Sequence, residues 1–101
     1  MRHPLVLFLL MLPVLAQAAG PGRPSKLGQC VACHGEDGHG RSPGIPHLAA
    51  QDEDYLRLAL QAYRSGTRQA MPMSSVANTL QPRDIAALAA WYARQPPRVP
   101  R

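Results

Sequence analysis

The chain is poor in the features that mark most functional classes. Aromatic residues make up 5% of its 101 positions, and only two cysteines are present. No basic stripe is interleaved with aromatics, so no nucleic-acid partner is expected. No run alternates apolar and polar residues over a strand's length, so no sheet is expected. No acid–base pair or catalytic nucleophile emerges, so the chain does not read as an enzyme in its own right. Its length leaves room for one domain, which excludes multidomain enzymes and two-fold internal repeats. An apolar stretch of about 20 residues, the length that spans a bilayer, is also lacking.

The longest apolar run, Leu5 to Leu15, is roughly half that length and is interrupted by Pro13. It follows the basic start Met1-Arg2-His3 and precedes Ala16-Gln17-Ala18. A positive n-region, an apolar h-region and an A-x-A site describe a secretory signal peptide, cleaved after Ala18 or, as the lesser option, after Ala16. Residues 1–18 are thus expected to be a leader and 19–101 the working domain, exported to the periplasm with no stable membrane insertion afterwards. Removing the leader takes the only Phe and leaves twenty hydrophobic residues larger than alanine. A domain this small is marginal on side chains alone, so a disulfide, a metal or a bulky prosthetic group is expected to complete its core.

The two cysteines discriminate among these, in the segment Cys30-Val31-Ala32-Cys33-His34. A disulfide across so short a loop constrains the unfolded chain very little. A redox-active pair belongs after a strand, and no strand-like run precedes Cys30. A zinc site needs two more ligands, and His39 and His47 lie in a Gly- and Pro-rich stretch without zinc-finger spacing. The pattern C-x-x-C-H attaches a c-type haem. On one helical turn the thiols can add to the two porphyrin vinyl groups while the next residue turns its imidazole to the iron.

With these residues the chain resembles the class I c-type cytochromes, small soluble monohaem proteins and the halves of bacterial dihaem ones. The resemblance covers most of residues 19–101: Cys30 to Gly35, Ile45 to Gln51, Tyr55-Leu56 to Gly66-Thr67-Arg68, Met73, and Asp84 to Ala93. It implies an all-α, cytochrome c-like domain and one covalent haem c with its iron. Cys30 and Cys33 would be the thioether attachments, His34 the proximal ligand, and a methionine the distal one. Met71 and Met73 lie in the right loop, and alternation along an extended segment would aim both the same way. The family spacing, seven residues before the apolar residue ahead of the last helix, selects Met73, which stands seven before Leu80. The resemblance also suggests that the Pro46 carbonyl accepts a hydrogen bond from the proximal imidazole, although a proline that only stiffens a turn is as good a reading of the residues. Arg68, at a family position, or Arg64 would pair with a haem propionate; the plainer reading is a solvated charge near a helix C-terminus. His39 and His47 are read as loop residues rather than iron ligands.

Three main helices are expected. The first runs from Pro24 or Ser25 through Cys33, with Gly28 inside it. A glycine there costs about 1 kcal/mol, which suggests close packing against another helix, and the resemblance implies that this is the last one. The second runs from an Asp52 N-cap to Ser65, stops at Gly66, and carries a buried stripe of Tyr55, Leu56, Ala59, Leu60 and Tyr63. Thr67 to Leu80 is expected as loop. The third spans Gln81 to Gln95 and buries Ile85, Leu88, Ala89 and Tyr92, with Gln81 a weaker cap than the Ser or Asp usual in the family.

A His/Met-ligated haem favours the reduced iron and blocks its sixth position, which implies single-electron transfer between redox partner proteins, a dehydrogenase or membrane complex as donor and an oxidase or reductase as acceptor. A haem-based ligand binder or peroxidase-like protein with a labile sixth ligand is the alternative, and a haem-free thiol or metal module is a third reading. The formal net charge of +5 falls once Arg2 leaves with the leader and two propionates are added, and this modest basicity suits transient, salt-sensitive docking on acidic partners.

Overall fold

The computed structural model describes residues 1–13 and 22–99. Residues 1–13 have no regular secondary structure, and Leu5 to Leu12 are exposed. The expected cleavage site at Ala18 lies outside the described residues. No described helix is long and apolar enough to cross a membrane.

The described residues form four helices and no strand: α1 Gly28–His34, α2 Glu53–Ser65, α3 Met73–Asn78 and α4 Pro82–Ala93. The all-α expectation holds, with one helix more than expected. That helix, α3, lies in the segment read as loop. It has six residues, too few to show a hydrophobic period. Its first turn is held by Ser74, whose Oγ accepts from the Ala70 N–H at 3.1 Å while its own N–H bonds the Ala70 carbonyl.

The other helices follow their local chemistry. Asp52 caps α2 by accepting from the Tyr55 N–H at 2.8 Å, Glu53 and Asp54 occupy the first turn, and Gly66 ends the helix in the left-handed conformation, φ 84°. At α4 the weakness of Gln81 is offset by the Asp84 carboxylate, which accepts from the Gln81 N–H at 2.8 Å. The first helix departs from expectation. A turn over residues 25–27 precedes α1, which begins at Gly28, and a Cβ built on Gly28 would meet nothing within 4 Å. This glycine stands at a helix start and not at a helix crossing. Its small size serves no close approach.

Leu27, Leu56, Leu80, Ile85, Leu88, Ala89 and Tyr92 form the core, with α2 packed against both α3 and α4. All four expected positions of α4 are buried. On α2 only Leu56 is; Tyr55 is 53% exposed, and Ala59, Leu60 and Tyr63 are half-buried. The stripe exists, but Leu56 and Leu60 share it between the core and a cavity that Tyr55, Ala59 and Tyr63 also line.

The chain from Gly35 to Ala50 is fastened by its own backbone. The Gly38 carbonyl accepts from the Leu48 and Ala49 N–H groups at 2.7 and 3.1 Å, and Ala50 N–H bonds the Tyr92 carbonyl at 3.1 Å. Gly38 itself has φ +78°, and a Cβ there would lie 2.6 Å from the Ala49 nitrogen and 3.0 Å from Tyr92 Cδ1. Gly38→Ala is therefore expected to cost about 2 kcal/mol or more, read as a lower urea midpoint at unchanged slope.

Candidate functional site

The cavity faced by α2 has a volume of about 350 Å³ and a largely apolar lining. Leu56, Leu60, Val76 and Leu88 contribute walls, and Cys30, Cys33, His34, Pro46, Arg68 and Met73 all line it. Residues far apart in sequence thus share one enclosure. The cysteines are unpaired and lie on a single turn of α1, with His34 as the last residue of that helix.

His34 is 7% exposed, the one buried polar residue among those described. Its Nδ1 donates to the Pro46 carbonyl oxygen at 2.9 Å, since a carbonyl can only accept. This fixes the ring's tautomer and plane, and leaves Nε2 as the acceptor nitrogen, which among the described residues makes no hydrogen bond. Directly after α1, Gly35 turns the chain at φ 76°, and the Cys33 carbonyl accepts from the Arg41 N–H at 2.8 Å.

Two aromatic residues of α4 hold the loop that follows. Trp91 Nε1 donates to the Glu36 carbonyl and Tyr92 Oη to the Gly35 carbonyl, both at 2.8 Å. Sequence reading placed Tyr92 in the core without finding this role; its only clue was that a buried tyrosine hydroxyl needs a partner. Burial pushes the Tyr92 phenol up from its ordinary value of 10, and burial likewise raises the Cys30 thiol. The folded state therefore keeps the Tyr92 proton where the unfolded chain would lose it. Stability is present below pH 10 and falls as pH rises above it. Tyr92→Phe should flatten that alkaline fall and, by removing the shorter of the two hydrogen bonds that the Gly35 carbonyl accepts, cost about 1 kcal/mol near neutrality, as urea unfolding near neutrality and above pH 10 would show.

Met73 opens α3 and is half-buried, whereas Met71 is 75% exposed and its sulfur accepts from Ser75 Oγ at 3.5 Å. Both line the cavity. Pro72 between them is helical, φ −87° and ψ −2°, so the extended alternation assumed for this segment does not occur. Arg68 borders the cavity with its guanidinium 4.6 Å above the Tyr63 ring, while Arg64 lines a separate groove with Ser65 and Asn78. His39 is committed elsewhere: Nε2 faces the Pro96 carbonyl at 3.1 Å and Nδ1 the Asp37 carboxylate at 3.5 Å. His47 borders the cavity, but its Nδ1 accepts from the Gly40 N–H at 2.9 Å.

These residues suit a flat apolar prosthetic group better than a bare metal ion. Among the described residues no cluster of three or more His, Cys, Asp or Glu could hold a metal. The apolar walls, two thiols on one turn and an imidazole with one nitrogen engaged and the other open match the requirements of a covalent haem.

Comparison with known proteins agrees. The family model described as Cytochrome c matches residues 25–93. The chain is 45% identical over 73 residues to cytochrome c-554(548) of Halomonas halodenitrificans, covering 69% of this chain and 88% of that one. It is 37% identical to cytochrome c4 of Pseudomonas aeruginosa, over 89% of this chain but 46% of the relative, so it spans about half of that protein. A thiosulfate dehydrogenase electron acceptor of Thiomonas intermedia is 35% identical, over 81% of this chain and 38% of its own length. The chain belongs to the cytochrome c family, as a small class I c-type cytochrome that carries electrons on a covalently bound haem c.

Proposed function

We propose that this cytochrome works in the periplasm as a single-electron shuttle with His34 and Met73 as its axial ligands. Cys30 and Cys33 hold the haem through thioethers, residues 1–18 are a leader removed after Ala18, and Arg68 pairs with a propionate. The observation that carries the reading is the arrangement of His34: Nδ1 engaged by Pro46, Nε2 free, and Met73 bordering the same cavity. When bound, the haem iron supplies a one-electron Fe(II)/Fe(III) couple. The protein's residues do the rest. The Pro46 carbonyl orients the imidazole and raises its basicity, the walls from α2, α3 and α4 keep water from the site, and a thioether favours the reduced state.

Its redox partners include an oxidoreductase as donor or acceptor, a role suggested by the thiosulfate dehydrogenase electron acceptors among its relatives. The test is an absorption spectrum of protein exported by a host competent in haem attachment. A low-spin reduced spectrum and a sulfur-to-ferric-iron band are expected. Rapid carbon monoxide binding by the reduced protein at neutral pH would instead identify a ligand-binding haem with a labile sixth position.

A further inference from the structure

Met73 and His34 border one cavity from helices that are differently anchored. α2 packs against α3 and α4, whereas α1 has no comparable packing against α3. α3 is too short to be stable by itself, so its position depends on its anchors. Ala77 and Leu80 bury its C-terminal end, while Met73 lies at the other. Among the described residues, one side-chain hydrogen bond joins the end of α3 to α1. Thr79, the C-cap of α3, places Oγ1 2.8 Å from Gln29 Oε1 and 2.7 Å from the Val76 carbonyl oxygen. A hydroxyl has one proton to give. Both contacts are satisfied when Thr79 donates to Val76 and accepts from the Gln29 amide, whose O and N exchange by a flip. Gln29 directly precedes Cys30 and lines the cavity.

We propose that the Thr79–Gln29 bridge is a positioning contact for the sixth ligand: it ties α3 to the helix of the C-x-x-C-H motif and so governs how often Met73 leaves the iron. The proposal rests on the reading of Met73 as a ligand. Local opening at the Met73 end of so short an element needs far less free energy than global unfolding, so one hydrogen bond shifts it visibly. A neutral bond of ordinary strength corresponds to about a five-fold change in the open population.

The test uses the reduced holoprotein mixed with carbon monoxide in a stopped-flow instrument, with the urea midpoint measured in parallel. Thr79→Val and Gln29→Leu should each raise the carbon monoxide binding rate about five-fold, their combination should add little, and Thr79→Ser should restore the slow rate. A merely structural role would lower the midpoint and leave the rate unchanged. Unchanged rates in both variants, with Met73→Ala binding carbon monoxide rapidly, would overturn the bridge and leave the ligand intact. If Met73→Ala binds no faster than the parent, the ligand reading fails and the proposal falls with it.

Discussion

Met73→Ala is expected to abolish the sulfur-to-ferric-iron band and to lower the reduction potential by on the order of 0.1 V, a fraction of the ~0.8 V over which axial ligands tune haem proteins. A soft thioether stabilises ferrous over ferric iron, and alanine offers no replacement. The neighbouring Met71→Ala keeps the band. Both methionines border the cavity, but Met73 is half-buried at the start of α3, while Met71 is largely in solvent with its sulfur turned to Ser75. Drawing Met71 inward would break that contact and move Pro72. If the band disappears in Met71→Ala and survives in Met73→Ala, the assignment reverses.

Replacing both attachment residues, Cys30→Ala with Cys33→Ala, should give a chain that shows no haem stain on a denaturing gel and has lost much of its stability. The size of the loss follows from the packing. Eight hydrophobic residues are buried among those described, and one of them is an alanine of the six-residue α3. Tyr55, Ala59, Leu60 and Tyr63 turn toward the cavity, so their burial depends on what fills it. Truncating one large aromatic in a core costs about 3–5 kcal/mol, and a porphyrin is larger than any side chain, so a loss on the order of 5 kcal/mol is expected. That is a large part of a small domain's total. Urea unfolding followed by helix circular dichroism would measure it. A double variant that unfolds at the parent midpoint would show that the side chains suffice alone.

How much of this was legible in the sequence depended on how local each signal was. The limits of α2 could be read because Asp52 and Gly66 each do their work within a turn of where they stand. The buried face of α4 could be read because Ile85, Leu88, Ala89 and Tyr92 repeat at helical spacing. The motif Cys30 to His34 is a single turn and needs no tertiary knowledge. α3 escaped because Met-Ser-Ser-Val-Ala-Asn is shorter than two turns and lacks a strong cap. Gly28 misled because its cost inside a helix vanishes at a helix start, where it stands. Apolar periodicity on α2 marked a face without saying what covers it, since a neighbouring helix and a cofactor demand the same residues. The bonds from Tyr92 and Trp91 to Gly35 and Glu36 span more than fifty positions, and no local pattern announces them.

The fastening of the chain around His34 bears on speed. Pro46 holds the imidazole, Tyr92 and Trp91 hold the turn behind it, and the Gly38 carbonyl gathers Leu48 and Ala49 beneath. With His34 on the iron as proposed, a ring so constrained would keep one orientation when the charge opposite it changes by one. Nuclear rearrangement between the two oxidation states is the main barrier to electron exchange at short range. A histidine side held in this way would let the protein take up an electron and release it in nearly the same shape.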